Sequence, residues 1–155
     1  MENPAFNIVL LAPQIPNNTG NIGRTAMATG CRLHIIHPIA FDMDEKAVRR
    51  AGLDYWHLLD VREHISWEAF LETESPETIW LLTTKSDQPV WNAKFMQGDF
   101  LLFGSEQHGV PQKVHDFVGE KARITLPMVG EARSLNLATA VCACVYEGIR
   151  QTSDS

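Results

Sequence analysis

The sequence has few cysteines and no long apolar run. Its 155 residues include three cysteines, Cys31, Cys142 and Cys144, with no Cys-x-x-Cys pair. This odd number suggests neither a disulfide framework nor a zinc ribbon. The first apolar run, residues 8–12, is too short for a signal peptide or a membrane span, and Glu2 precedes it in place of basic residues. We therefore expect a cytosolic protein with no membrane segment.

Positive charge is also scarce. The chain has 13 Lys and Arg against 19 Asp and Glu, a net charge of −6, which disfavours nucleic-acid binding through a diffuse positive field. The charges are segregated, however: acidic residues gather between Glu63 and Glu77, whereas Lys46, Arg49 and Arg50 share a predicted short helix. Because a local basic patch can bind RNA in an acidic protein, we expect these three residues to contact phosphates.

A chain of this length with 45% hydrophobic residues can bury one core, so a single domain over 1–155 is expected, with 151–155 as a disordered tail. Short apolar runs bounded by turn residues predict strands, and amphipathic stretches with capping residues predict helices. The predicted strands are 7–11, 32–36, 57–61, 78–83, 99–104 and 123–126, the last three being central. The predicted helices begin at Asn17 or Asn18 (to residue 29, stopped by Gly30), at Asp42 or Asp44 (to Gly52), at Ser66 (to residue 72) and after Ser134 as cap (135–151).

This alternation predicts an α/β fold with a largely parallel sheet, whose ligand site lies beyond the carboxyl ends of the strands. The first loop there, residues 13–24, contains Gly20, Gly23 and Arg24. Such a loop can place a helix N-terminus and a cation beside a phosphate, or be only a helix start with a surface arginine. The dinucleotide fingerprint and the P-loop motif are both absent, which removes the usual support for a hydride-transfer enzyme or a kinase.

Two later loops have the same strand–loop–helix setting. In residues 101–111, Gly104 suits close approach to a flat ligand such as adenine, and Glu106 could hold a hydroxyl or amino group or be a solvated turn acid. In residues 124–138, Ser134 and Asn136 stand where a helix begins, either for function or with Ser134 merely as its cap. His34 and His37 point to opposite faces of a strand, so a structural role is favoured over a shared metal.

Taken together and in order, the three loops resemble the three motifs of the SPOUT superfamily of RNA methyltransferases. The resemblance covers nearly the whole chain and is closest to the tRNA wobble-position 2′-O-methyltransferases of the TrmL type. The matching segments are Asn18-x-Gly20-x-x-x-Arg24, Phe103-Gly-x-Glu106-x-x-Gly-x-Pro111, and Leu126-Pro-Met with Ser134-Leu-Asn136. Two departures, Gln107-His108 in place of Thr-Arg and Ala138 in place of serine, bear on the RNA substrate more than on the cofactor.

The resemblance implies a SPOUT fold whose C-terminal part forms a deep trefoil knot, a homodimer, and metal-free methyl transfer from S-adenosyl-L-methionine to a tRNA ribose, at the wobble pyrimidine. It implies cofactor contacts by Leu82, Thr83, Gly104, Leu126, Met128, Ser134, Leu135 and Asn136. The implied catalytic residues are Arg24, Glu106, Ser134 and Asn136, and the RNA-binding residues are Asn18 and Arg24, with Lys46, Arg49 and Arg50 added from their charge.

Three alternatives stay open at this point. The same fold could methylate another RNA, such as ribosomal RNA. A non-catalytic RNA-binding protein could retain a vestigial pocket, although the presence of Arg24, Glu106, Ser134 and Asn136 counts against this. A metabolic α/β enzyme acting on a small anion is also compatible with the glycine-rich first loop.

Overall fold

A computed structural model describes residues 2–41, 53–132 and 134–153. Six strands form one parallel sheet in the order β3-β2-β1-β5-β4-β6. The apolar runs at residues 7–11, 32–36 and 100–103 are almost wholly buried, as parallel strands covered by helices on both faces require. The strands are β1 (Asn7–Leu11), β2 (Arg32–Ile36), β3 (Val61–His64), β4 (Ile79–Leu82), β5 (Phe100–Phe103) and β6 (Arg123–Ile124).

Helices cover both faces of the sheet and create two apolar cores. On one face, α1 (Pro16–Thr29) and α4 (Leu137–Thr152) pack around residues such as Ile8, Leu10 and Leu101. On the other, α2 (Trp67–Glu74) and α3 (Gln112–Val118) pack around Val9, Leu11 and Leu102. Short 3₁₀ helices lie at Leu53–Leu58, Val90–Asn92 and Glu120–Ala122. The predicted α/β fold with a parallel sheet is confirmed, and no described helix has the length and apolarity needed to cross a bilayer.

Two strand predictions are wrong. Residues 53–58 form a 3₁₀ helix, and the strand lies at Val61–His64 in place of 57–61. Trp56 of the 3₁₀ segment packs against α1, since a Cβ atom added to Gly23 would lie 2.6 Å from its Cζ3. The third strand predicted to be central, β6, has two residues and lies at the sheet edge.

The helix ends partly match the predictions. Gly30 ends α1 in the left-handed conformation, with φ of 71°, as predicted. Ser66 caps α2, since its side-chain oxygen accepts a 3.0 Å hydrogen bond from Ala69 N. Gln151 and Thr152, expected in the tail, are still helical. The helix predicted to end at Gly52, with Lys46, Arg49 and Arg50, lies outside the described residues.

Candidate active site

A cleft of about 570 Å³ lies beyond the carboxyl ends of β4, β5 and β6, against the starts of α1 and α4. This volume is in the range of small-molecule sites. Its lining includes Asn18 from the first loop region and Glu106 from the second. All the residues for which a cofactor contact is predicted also line it: Leu82, Thr83, Gly104, Leu126, Met128, Ser134, Leu135 and Asn136. The structure therefore brings the three loops together around one cavity.

The carboxylate of Glu106 binds the start of α1. Its Oε1 accepts a 2.8 Å hydrogen bond from Gln14 N, and its Oε2 accepts bonds of 2.9 Å from Ile15 N and 3.2 Å from Asn18 Nδ2. A negative charge at this position also suits the positive end of the helix dipole. Glu106 is thus a brace between two loops, and the reading of it as a solvated turn acid is wrong.

The predicted caps of α1 and α4 are both wrong. The N-cap of α1 is Ile15, which has no side-chain cap bond, in place of Asn17 or Asn18. Pro16 follows at the first helical position, where its fixed φ is favourable, and the Glu106 carboxylate accepts nearby amides. The N-cap of α4 is Asn136, whose Oδ1 accepts a 3.2 Å bond from Thr139 N, whereas Ser134 is exposed before the helix.

Asn18 links Glu106 to Asn136. Besides its bond to Glu106, its Oδ1 accepts a 3.1 Å hydrogen bond from Asn136 Nδ2. The side chain of Asn18 is nearly buried, with 6% of the residue exposed. Glu106, Asn18 and Asn136 therefore form a continuous polar chain that joins all three loops. The RNA contact predicted for Asn18 stays a prediction, to be weighed against this internal use of its amide.

Gly104 is required by its own loop. The loop closes on itself, since Ser105 and Gly109 exchange backbone hydrogen bonds of 3.1 and 3.0 Å. A Cβ atom on Gly104 would lie 2.3 Å from the backbone carbon of Gly109, which has a φ of +64°. Gly104 lines the cleft, but the backbone that leaves no room for a side chain at this position belongs to Gly109. The prediction had assigned this close approach to a flat ligand.

Gln107 and His108, the two residues that differ from the Thr-Arg of the family motif, lie on the wall of the cleft. Gln107 N donates a 2.9 Å hydrogen bond to Gln14 Oε1, and Gln14 Nε2 donates one of 3.4 Å to Gln107 Oε1. Gln107 is thereby connected to the first loop, beside the Glu106 brace. His108 is exposed in the same wall, so both residues are accessible to a molecule entering the cleft.

His115 is a cleft residue that has no counterpart among the predictions. It lies on α3, is 4% exposed, and its Nε2 is 3.0 Å from Thr83 Oγ1. Burial, with the nearby charges of Lys85 and Arg123, lowers the pKa of His115 below its ordinary value. The sequence around His115 does not predict a place in the site, because the contact that defines its position is with Thr83, 32 residues away.

Arg24 lies apart from the cleft lining. It is on the exposed side of α1 and forms no ion pair with another residue in the described part of the chain. The guanidinium is therefore available to a molecule outside this chain. Lys46, Arg49 and Arg50 belong to the segment that the structure does not describe.

Buried polar groups also occur away from the cleft. His34, His64 and Glu74 form a cluster in which one nitrogen or oxygen atom of each residue, of a type that can ligate a metal, lies within 4.8 Å of the others. His34 Nε2 faces Asn7 Oδ1 at 2.9 Å, and Asn7 Nδ2 donates to Gly98 O, so Nε2 of His34 carries its proton. Its Nδ1 lone pair then accepts a 3.0 Å bond from His64 Nε2.

The two imidazole rings are nearly parallel, at 19°, with centroids 5.3 Å apart, and the facing nitrogen atoms are at hydrogen-bond distance. The arrangement is a hydrogen bond, since metal ligation would require both lone pairs to converge on a third point. Burial lowers the pKa of His34 to about 3 and also lowers the pKa of His64. This buried pair fits the structural role predicted for His34.

Comparison with known proteins gives a consistent assignment. The sequence profile of the SpoU rRNA Methylase family matches residues 5–146. A tRNA (cytidine(34)-2′-O)-methyltransferase of Saccharophagus degradans is 43% identical over 146 residues, which cover 94% of this chain and 95% of that protein. A protein of the same name from Escherichia coli K12 is 46% identical over 146 residues, covering 94% and 93%.

Solved structures agree with these relatives. A structure described as "Structural insights into the 2-OH methylation of C/U34 on tRNA" superposes with a TM-score of 0.87 at 40% identity and covers 94% of this chain and 95% of that one. The SpoU methyltransferase AviRb of Streptomyces viridochromogenes, in complex with AdoMet, superposes with a TM-score of 0.83 at 25% identity and covers 97% and 62%. Both similarities extend over nearly all of this chain.

Proposed function

The chain belongs to the SpoU rRNA Methylase family, and from this premise we propose that it methylates the ribose 2′-hydroxyl of the wobble pyrimidine of a tRNA, with S-adenosyl-L-methionine as methyl donor. The observation that carries the proposal is the convergence of the three motif loops on one ligand-sized cleft. The names of the relatives, which specify cytidine 34 of tRNA, support the choice of RNA and of nucleotide.

The cleft fits this donor in size and in the nature of its walls. Loop backbone and small or apolar side chains provide surfaces for an adenosine, while Thr83, Ser134 and Asn136 provide polar atoms. The residues that would hold the donor are Leu82, Thr83, Gly104, Leu126, Met128, Ser134, Leu135 and Asn136. When bound, S-adenosyl-L-methionine supplies a methyl group activated by a sulfonium, so the protein needs mainly to position the acceptor oxygen in line.

As the new oxygen–carbon bond forms, the bond from the methyl carbon to the sulfonium sulfur would break and leave S-adenosylhomocysteine, and the proton of the ribose hydroxyl would pass to solvent water. An arginine guanidinium stays protonated in proteins and is a poor base, so we assign Arg24 to positioning a phosphate and stabilising the negative charge that develops on oxygen. Ser134 and Asn136 position donor and ribose at the start of α4. Glu106 acts through its brace, which keeps the first loop and Asn18 in place.

We include a homodimer in the proposal because Arg24 lies outside the cleft of its own chain. Met27 of α1 and Tyr146 of α4, on the face formed by these two helices, are 39% and 51% exposed although apolar in large part. Pairing of two copies through this face would cover them and could bring Arg24 of one copy to the cleft of the other. The tRNA would then contact both copies.

Mixed dimers test the shared site. Arg24→Ala lacks the cation, and Leu126→Trp blocks the cleft, so each variant alone should be inactive. Co-expression with two affinity tags yields a dimer in which one intact cleft faces one intact Arg24. Recovery of methylation in the purified mixed dimer supports the shared site, and absence of recovery shows that each chain uses its own Arg24.

The tRNA partner and a cytosolic location are parts of the same proposal. Lys46, Arg49 and Arg50 are the proposed phosphate contacts, with Asn18 and Arg24 nearer the reacting nucleotide. The chemistry assigned to these residues uses no metal ion.

Incubation of the purified protein with radiolabelled S-adenosyl-L-methionine and total tRNA tests the activity. Nucleoside mapping should place the label in 2′-O-methylated cytidine or uridine at position 34, and Arg24→Ala provides the matched inactive control. Ribosomal RNA is tested in parallel. Label in ribosomal RNA alone would overturn the choice of tRNA, and no label in either RNA would overturn the proposed reaction.

A further inference from the structure

A buried histidine on the wall of the cleft has one side-chain partner. His115 is 4% exposed, and Nε2 faces the Thr83 hydroxyl at 3.0 Å, while Nδ1 has no hydrogen-bond partner in the described residues. Burying a polar ring costs free energy that an apolar side chain would not cost. Packing alone therefore does not explain a histidine at this position, and its contact with Thr83 is the feature to account for.

Thr83 is held from three sides. Its backbone N donates a 2.9 Å bond to Ile124 O in β6, and its Oγ1 accepts a 3.1 Å bond from Lys85 N. Nε2 of His115 is the third partner. A hydroxyl can donate or accept, so this contact forms with either neutral tautomer of the ring. The turn at 83–85 leaves the carboxyl end of β4, and Leu82, Thr83, Thr84 and Lys85 all line the cleft.

The helix that carries His115 is itself tied to the sheet edge. Arg123 Nη2 donates a 2.8 Å hydrogen bond to the carbonyl of His115. Burial is the largest cause of the lowered pKa of His115, the positive charges of Lys85 and Arg123 add to it, and the backbone of Pro111 and the charge of Asp116 oppose it. The ring is accordingly neutral near pH 7, and its position is set by the backbone of α3.

We infer that His115 is a positioning residue for methyl-donor binding: through its Nε2 it fixes the side chain of Thr83 and the turn 83–85 that forms one wall of the cleft. The inference rests on the proposed function, because the ligand of this wall is the S-adenosyl group. Loss of the histidine should leave Thr83 free to rotate and the turn less ordered. The donor would then bind more weakly, while methyl transfer from the saturated enzyme would continue.

Calorimetric titration with S-adenosylhomocysteine tests this inference. His115→Leu should weaken binding by roughly fivefold to tenfold, the equivalent of one lost hydrogen bond. His115→Gln should restore it, because a glutamine amide reaches the place of Nε2, whereas the shorter amide of His115→Asn should not.

Kinetics of His115→Leu should show a raised KM for the donor with kcat unchanged. Lys113→Gln, on the exposed side of the same helix, is the control, and thermal melting verifies folding.

Thr83→Val gives the decisive comparison, because His115 should have no effect once the hydroxyl is absent. Equal affinities of Thr83→Val and the double variant His115→Leu/Thr83→Val support the inference. Should His115→Leu not fold, His115→Asn takes its place in the cycle. Wild-type affinity in His115→Leu and His115→Asn, or an undiminished effect in the Thr83→Val background, overturns the inference. No binding by the wild-type protein would instead overturn the proposed function.

Discussion

Single polar residues set the geometry of the cleft. Glu106 contacts Gln14 and Ile15, more than 90 residues away in the chain, and Asn136 bonds to Asn18, which is 118 residues away. These side chains connect loops that no covalent bond joins nearby. Their removal should therefore affect both stability and donor binding, whereas removal of Arg24, outside the network, should affect methyl transfer and the contact with tRNA but not donor binding.

Arg24→Ala should lower the methylation rate by about 100-fold or more, the scale found when a group that stabilises developing charge is removed. Binding of S-adenosylhomocysteine should not change, because Arg24 does not line the cleft. Methyl incorporation into tRNA and calorimetry measure the two effects. Lys94→Ala, an exposed residue elsewhere, should behave as wild type. A fully active Arg24→Ala protein would remove this residue from the mechanism.

Glu106→Ala should lower the free energy of unfolding by about 1–3 kcal/mol, because two backbone amides and the Asn18 amide lose their acceptor. Glu106→Gln keeps one acceptor oxygen and should lose less. Urea unfolding measures both values. If the two variants are as stable as wild type, the brace does not contribute to stability as described.

At the scale of helices and strands, the ends of the elements differ most from the predictions. Ser134 and Asn136 are both good capping residues, and the sequence pattern does not distinguish them. Asn136 is the cap because it lies one residue before Leu137, the first residue of α4, while Ser134 faces the cleft. Similarly, Trp56 and Leu59 lie against Gly23 of α1, so their packing does not come from strand pairing.

Asn136→Ala should lower the free energy of unfolding by about 1 kcal/mol through loss of the cap, whereas Ser134→Ala should change it by less than about 0.5 kcal/mol. Asn136→Asp retains an oxygen acceptor for the helix but loses the amide that donates to Asn18, so its stability should lie between those of wild type and Asn136→Ala. Urea unfolding of the four proteins checks the order. A larger loss for Ser134→Ala would contradict the cap assignment.

The histidine pair on β2 and β3 predicts sensitivity to acid. Burial lowers the folded-state pKa of His34 to about 3, and also that of His64, whereas an unfolded histidine titrates near about 6.5. The unfolded state thus binds more protons below about pH 6.5, so this contribution is complete above that pH and is lost progressively as the pH falls toward 3.

Urea midpoints measured between pH 7.5 and 5 should fall for the wild-type protein. His34→Gln should reduce this slope, while His37→Gln, which alters a partly exposed residue with a surface Glu63 partner, should retain it. Parallel curves for wild type and His34→Gln would show that the buried pair does not cause the acid sensitivity.

At the scale of the whole molecule, the chain is a three-layer sandwich whose cleft opens at one end of the sheet. The net charge of −6 means that RNA binding has to be local. Arg24 and the segment with Lys46, Arg49 and Arg50 are the proposed contacts. The deep trefoil knot implied by the family resemblance stays a prediction.

Joint replacement of Lys46, Arg49 and Arg50 by glutamine should weaken tRNA binding and reduce the slope of log K against log salt by about 2 to 3. Filter binding at several salt concentrations measures both. A matched control replaces three exposed lysines elsewhere: Lys94, Lys113 and Lys121. Equal slopes for wild type and the first variant would refute the phosphate contacts.

Local patterns in the chain were sufficient to predict the parallel α/β architecture, most of its strands, and the three loops that line the cleft. This is because apolar runs and turn residues act over a few neighbours, and parallel strands necessarily place their following loops at one edge. The partners of Glu106, the contact of His115 with Thr83 and the bond of Asn136 to Asn18 depend on three-dimensional proximity. Hydrogen bonds between distant residues form only when packing has brought them together, and no spacing along the chain encodes that distance.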